Sequence, residues 1–253
     1  MKILVGTPVY REGAYSLNKF LSNQQQIQQR TLSCELALVT CEADYVGELQ
    51  KLVEQHRLRA TVIPYKVIKP DYAKSRVWNI ACGREAVRKY FLENHKFEGL
   101  LCLDADMTYD TSLIDIMIKE AEGYDAVFSG YRLRAIGTGL TGAGCLMLSR
   151  RILEKVKFRC YEFKNGESIT EDNTLEMDLF RVGARIKKGI FLAIDHYSTS
   201  DEFKHIEPKQ VGLWDSIMTA PMIRYCLIRV NVLLKTNLSS RLFVLANRFR
   251  KNR

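Results

Sequence analysis

Short apolar runs alternate with longer amphipathic stretches over about the first 130 residues. Ile3–Val5 stops at Gly6-Thr7-Pro8 and predicts a buried strand feeding a loop. Leu36–Val39, Ala60–Ile63, Gly99–Leu103 and Ala126–Ser129 predict four further strands. Helices are expected at 15–30, 44–57, 74–93 and 111–121. The second has Asp44 as a candidate N-cap and Leu49, Leu52 and Val53 as its stripe. The third presents Val77, Trp78, Ala81, Val87 and Phe91. Alternating strands and helices predict an α/β/α sandwich with a mostly parallel sheet. Ligands of such sheets sit beyond the carboxyl ends of the strands. Thr7 to Glu12, Glu42 to Asp44 and Asp104 to Asp106 therefore converge on one crevice.

Beyond residue 130 the pattern changes. A Gly-rich stretch, GTGLTGAG (137–144), precedes the apolar run Cys145–Leu148. A helix at 149–156, acidic residues at 171–178, a helix at 173–182 and a strand Ile190–Ile194 ending in Asp195-His196 are expected to follow. The chain reads as basic and helical from Phe203 onward.

Charge sharpens that boundary. The 253 residues carry 38 Lys+Arg and 29 Asp+Glu, a net charge of +9. Residues 203–253 hold 10 of the basic residues against Glu207 and Asp215, so residues 1–202 are nearly balanced. We read 1–202 as one catalytic domain and 203–253 as a basic helical extension. With 47% apolar and 26% charged residues, a disordered, collagen-like or disulfide-stapled chain is excluded. The seven cysteines form no CxxC pair, and Cys34, Cys102 and Cys145 lie in apolar runs, so a reducing, cytoplasmic setting is expected. No secretory pattern opens the chain and no apolar run approaches the ~18 residues of a membrane span, so neither is expected.

In the extension, Arg224, Asn231 and Lys235 share one helical face opposite Met222, Leu227, Val230 and Leu234. Residues 239–250 repeat the theme, with Arg241 and Arg248 against Leu242, Leu245 and Phe249. Such faces suit an anionic membrane surface contacted by 216–253. The alternative is packing on the body or on a second subunit of an oligomer. A nucleic-acid partner is not expected, because no reading motif or aromatic interleaving is present.

The sharpest chemical signal is LLCLDADMTYD (100–110). Carboxylates at i and i+2 of an extended segment point to one side, about 6–7 Å apart. The pair is costly without a cation, and Mn²⁺ or Mg²⁺ carrying a diphosphate suits such hard oxygen ligands. A solvated acidic turn is the plain alternative. Haloacid-dehalogenase-type phosphatases share the local pattern and would use Asp104 as nucleophile and Asp106 as acid/base. In them, however, this strand usually opens the chain, whereas here three strands precede it.

Three further segments accompany the DxD: ILVGTPVYREG (3–13), AKSRVWNIACGREAV (73–87) and ITEDNTLEMDLFRVGARI (169–186). VTCEAD (39–44) is a looser fourth. In this order they resemble the family 2-like, GT-A-fold glycosyltransferases over about residues 1–200, with Arg11 where Asn is usual. The resemblance implies a GT-A fold and a site. Thr7, Pro8, Tyr10 and Glu12 would line the nucleotide pocket, Glu42 or Asp44 would bind the base, and Arg76 would approach the pyrophosphate. Asp104 would lie nearer the ribose, and Asp106 would be the firmer metal ligand, with His196 completing the shell. Asp172 would act as base beside Glu171. The backbone of Gly142, Ala143 and Gly144 would approach the sugar or acceptor.

Each role has a plainer counterpart: a strand-to-helix turn for 7–12, an N-cap for Asp44, a surface arginine, a structural histidine, helix capping at Thr170 and a connecting loop at 137–144. The implied activity is metal-dependent, inverting transfer from a UDP- or GDP-linked sugar. The acceptor would be a hydroxyl of a glycan, a lipid-linked glycan or a small molecule, at a membrane's cytoplasmic face. The non-enzyme alternative is a membrane- or partner-docking protein with a degenerate sugar-nucleotide site.

Overall fold

A computed structural model of the chain describes residues 1–130, 144–164, 166–199, 201–206, 217 and 220–235. Seven strands form the central sheet in the order β10-β6-β7-β4-β1-β2-β3. These are β1 (Ile3–Pro8), β2 (Cys34–Thr40), β3 (Ala60–Pro64), β4 (Gly99–Leu103), β6 (Ala126–Gly130), β7 (Cys145–Ser149) and β10 (Ile186–Phe191). All pairings are parallel except those of β7, which runs against both β4 and β6.

Side chains of the strands alternate between two cores, as the period of two requires. Ile3, Val5, Leu36, Leu38, Leu101 and Leu103 pack with helices α1 (Ala14–Arg30), α2 (Val46–Gln55) and α4 (Leu113–Glu120). Leu4, Ala37, Val39, Leu100, Cys102 and Phe128 pack on the opposite face with α3 (Val77–Glu93), α5 (Arg150–Leu153) and α6 (Glu171–Arg181). The sheet is therefore sandwiched between helical layers, as the sequence pattern predicts. Cys34, Cys102 and Cys145 are buried and free, packed as small apolar groups.

A second sheet, β12-β11-β5, joins β5 (Met107–Tyr109), β11 (Ile194–Tyr197) and β12 (Phe203–Ile206). A small hairpin pairs β8 (Tyr161–Glu162) with β9 (Ser168–Ile169). The expected strand 190–194 is in fact two strands, because the chain breaks at 192–193 to move from one sheet to the other. Phe203 opens a strand rather than a helix, since Tyr197 and Ile194 offer it a ladder at Phe203 and Ile206. The helix expected at 44–57 begins at Val46 after a 3-10 turn, and Asp44 makes no capping bond to it. The helix expected at 149–156 ends at Leu153, and α6 starts at Glu171, two residues earlier than read.

From the extension, residues 221–235 are helical (α7), opened by Pro221, whose missing N–H suits a first helical position. Arg224 and Lys235 of α7 turn toward the body, whereas Asn231, read on the same face, is exposed. Arg224 reaches Glu176 at 3.0 Å and Lys235 reaches Glu167 at 2.9 Å. Met222, Leu227, Val230, Leu233 and Leu234 are exposed. No helix among the described residues is long and apolar enough to cross a membrane. Residues 239–250 lie outside the described residues.

The close seating of α3 on β1 depends on Gly6. A Cβ there would lie 2.2 Å from Val87 Cγ1. Gly6→Ala is expected to destabilise the protein by about 1–3 kcal/mol through overpacking. Thermal denaturation checks this, and Val87→Ala in the same chain should restore much of the loss.

Candidate active site

The parallel strands β1, β2 and β4 end on one edge of the sheet, which places Pro8, Glu42 and Asp104 side by side along a cavity of about 470 Å³. Because β7 runs the other way, its beginning returns to the same edge. Gly144 O accepts from Asp104 N at 3.2 Å and from the Tyr109 hydroxyl at 2.7 Å. The cavity brings together Pro8, Tyr10, Glu12, Glu42, Arg76, Asp104, Asp106, Gly144, Glu171 and Asp172. Thr7 is buried within β1 and does not line it. Gly142 and Ala143 lie outside the described residues.

The DxD segment is a turn rather than an extended strand end. Ala105 O accepts from the Ser16 hydroxyl at 3.0 Å, and Asp106 O accepts from Tyr197 N at 2.8 Å. The turn sends the two carboxylates to different partners. Asp104 Oδ1 accepts from Arg84 Nη2 at 2.7 Å. Asp106 Oδ2 lies 3.5 Å from His196 Nε2, on the strand whose His196 pairs in register with Met107. Burial and the nearby Asp104 raise the Asp106 carboxyl above its ordinary range, partly opposed by His196.

Asp106 Oδ1 is buried and has no hydrogen-bond partner among the described residues. A buried carboxylate oxygen left unpaired is costly, so this atom fits a cation. Among the described residues no three His, Cys, Asp or Glu side chains form a closed metal cage. Mg²⁺ and Mn²⁺ do not require one, since one or two protein ligands with water and substrate phosphate suffice. Asp106 and His196 fit that sparse donor set, while Asp104 is already held by Arg84.

Arg84 is the centre of the site, a role that neither its spacing nor the resemblance assigns to it. It is 3% exposed and bridges Asp104 to Glu171, whose Oε1 accepts from Nη1 at 2.6 Å. Burial works against its charge, but the two carboxylates outweigh that and keep the guanidinium ionised. Burial also raises the Glu171 carboxyl, opposed by Arg84 and reinforced by Asp172. The available signal was positional: Arg84 falls in the buried stripe Ala81, Val87, Phe91 of α3, where an arginine must have a partner.

Asp172 stands beside this pair at the first turn of α6. Its Oδ1 accepts from the Thr170 hydroxyl and, at 2.7 Å, from Asn173 N. Thr170 thus bonds to a side chain and makes no capping bond to the helix. At the far wall, Tyr65 donates to Asn79 O at 2.7 Å, so Tyr10 must donate to Tyr65 across 2.9 Å. Burial pushes the Tyr10 hydroxyl well up. Glu42 accepts from Arg11 N at 2.9 Å, and the Arg11 side chain meets Asp44 at 3.2 Å and Glu48 at 3.1 Å. Arg76 and Glu12 pair loosely at 3.6 Å on the exposed rim.

No family model matches the sequence, and no curated protein matches it. The fold is nevertheless that of the GT-A glycosyltransferases. A mannosyltransferase from Pyrobaculum calidifontis, solved with GDP-Man and Mn²⁺, superposes with a TM-score of 0.52 at 15% identity, over 74% of this chain and 54% of that one. S. aureus TarS 1–349, solved with UDP, gives 0.52 at 14% identity, over 91% of this chain and 66% of that one. The same protein with UDP-GlcNAc gives 0.50 at 14% identity, over 87% and 61%. This chain thus spans between half and two thirds of the length of these structures.

Proposed function

We propose that the protein is a metal-dependent glycosyltransferase that moves a sugar from a UDP- or GDP-linked donor to an acceptor hydroxyl with inversion. The carrying observation is Asp106, whose buried Oδ1 has no hydrogen-bond partner among the described residues, on the wall of a cavity also lined by Arg84, Glu171 and Asp172. The nucleotide-sugar and Mn²⁺ complexes of the fold's neighbours support the donor class. Asp106 and His196 would hold Mn²⁺ or Mg²⁺, which when bound supplies positive charge to the donor diphosphate.

The chain's own groups do the rest. Pro8, Tyr10 and Glu42 line the side of the cavity suited to the nucleoside, with Arg76 at the rim for phosphate charge. Arg84 holds Asp104 and Glu171 as a fixed pair, which leaves Asp172 to receive a proton. Asp172 Oδ2 takes the proton of the acceptor hydroxyl as that oxygen bonds to the anomeric carbon. The carbon–phosphate oxygen bond breaks and its electron pair leaves with the diphosphate. In Asp104, Arg84 holds Oδ1 at 2.7 Å and draws charge from the carboxylate, which weakens it as the nucleophile of a phosphatase. Release of UDP or GDP from a panel of donors with Mn²⁺ tests the proposal. Turnover abolished by chelation supports it, and an inert protein with all donors overturns it.

The setting we propose is the cytoplasmic face of a membrane, reached through 216–253. Acceptors presented there, a lipid-linked glycan among them, suit this setting. The exposed apolar stripe of α7 and the net basic extension support the reading. Full-length protein is expected to co-sediment with phosphatidylserine-containing vesicles. Changing exposed Leu227, Val230 and Leu234 together to Asp should release it with little change in melting temperature. Equal sedimentation of that variant would remove the stripe as the contact.

A further inference from the structure

Helix α7 lies outside the sandwich, yet it touches the helix that carries the proposed base. The Tyr225 ring stacks on Phe180 of α6 at 4.7 Å, and Ile228 is buried. Arg224 is the polar centre of the contact. Its Nη2 meets Glu176 Oε2 at 3.0 Å, and Glu176 is also paired with the buried Lys188. The same Nη2 donates to Asn173 Oδ1 at 3.4 Å. Arg224 Nε also faces Glu176, 3.3 Å from Oε1 and 3.2 Å from Oε2, and burial together with the Arg224 charge pushes the Lys188 ammonium down to about 7, so the guanidinium both serves Glu176 and reaches Asn173.

The consequence is in the direction of the next bonds. An amide has one accepting and one donating end. With Asn173 Oδ1 turned to Arg224, its Nδ2 donates to Thr170 Oγ1 at 2.8 Å. The Thr170 proton is then directed at Asp172 Oδ1, which also accepts from Asn173 N. Oδ1 is committed twice, and Oδ2 is the oxygen left for the acceptor. If the amide flipped, its oxygen would face Thr170 and draw the hydroxyl proton away from Asp172.

We infer that Arg224 is a positioning residue: from outside the catalytic sandwich it fixes the amide of Asn173, and through Thr170 the carboxylate of Asp172. The inference rests on the transferase reading, in which Asp172 is the base. It makes α7 part of the catalytic apparatus as well as an outer face.

The test is steady-state kinetics of the full chain with its best donor and Mn²⁺, alongside thermal denaturation. Arg224→Met is expected to lower kcat by about 10- to 100-fold, the usual result of a misplaced catalytic group, with donor KM within about twofold. Arg224→Lys, which can still donate to the amide, should recover most of that loss. Thr170→Val should lower kcat similarly, and the double variant should fall little below either single one, because both break one relay. Should Arg224→Met fail to fold, Thr170→Val against Arg224→Lys carries the same comparison. Unchanged kcat, fully multiplicative losses, or a donor KM that moves as much as kcat overturns the role of Arg224 alone. A wild-type chain inert toward all donors overturns the transferase reading and this inference with it.

Discussion

Asp172→Asn is expected to cut sugar transfer by about 10²- to 10⁴-fold, the range that a positioned general base contributes. Donor affinity should survive. The amide oxygen of Asn can still accept from the Thr170 hydroxyl and Asn173 N, the two bonds that hold Asp172 Oδ1. What disappears is the second carboxylate oxygen and with it the site for the acceptor's proton. Transfer kinetics beside a donor-induced thermal shift separate the two effects. Loss of the shift together with turnover would make Asp172 a structural residue. Glu171→Gln should behave differently. Glu171 is buried and bound to Arg84, so its neutralisation disturbs the ion pair at the floor of the cavity before it disturbs proton transfer.

The largest effect on stability is expected from Arg84→Met. It leaves Asp104 and Glu171 facing each other without the cation that bridges them at 2.7 and 2.6 Å. Removing one partner from a buried ion pair costs about 3–5 kcal/mol. The lower end applies here, because the Asp104 side chain is still 33% exposed and water relieves part of its charge. For a chain of this size that is about a 10 °C fall in melting temperature. Arg84→Lys should recover only part of it, since one ammonium cannot present the two parallel N–H arms that serve both carboxylates. A melting temperature within about 2 °C of wild type for Arg84→Met would mean that the bridge contributes little. The same variant should weaken donor binding, because Asp104 loses its fixed direction at the cavity wall.

The sandwich was legible because its inner strands β1, β2 and β4 are buried on both faces and its helices on one, and those patterns are local. Ile3–Val5, Leu36–Val39 and Gly99–Leu103 lie within β1, β2 and β4 for that reason. The convergence of Glu42, Asp104 and Glu12 followed from parallel strands ending on one edge. What was not legible depended on pairing. Phe203–Ile206 reads as basic and polar, and it is a strand only because β11 offers it an edge. The DxD turn departs from an extended segment because Ser16 and Tyr197, distant in sequence, hold its backbone. The family resemblance points to Arg76, yet Arg84 is the buried arginine and Arg76 lies on the rim. In α7, Arg224 and Lys235 turn inward because Glu176 and Glu167 receive them, while Asn231 of the same expected face is exposed, and no periodicity reveals those partners.

The most direct measurement is calorimetric titration of UDP-, GDP- and TDP-sugars into the full chain, with Mn²⁺ and with chelator, for the wild type and Asp106→Ala. One nucleotide class is expected to bind in the presence of Mn²⁺, and both chelation and Asp106→Ala should weaken it at least about tenfold, as loss of a metal ligand does. Binding that is indifferent to Mn²⁺ and to Asp106, or no binding by any donor, would contradict that expectation.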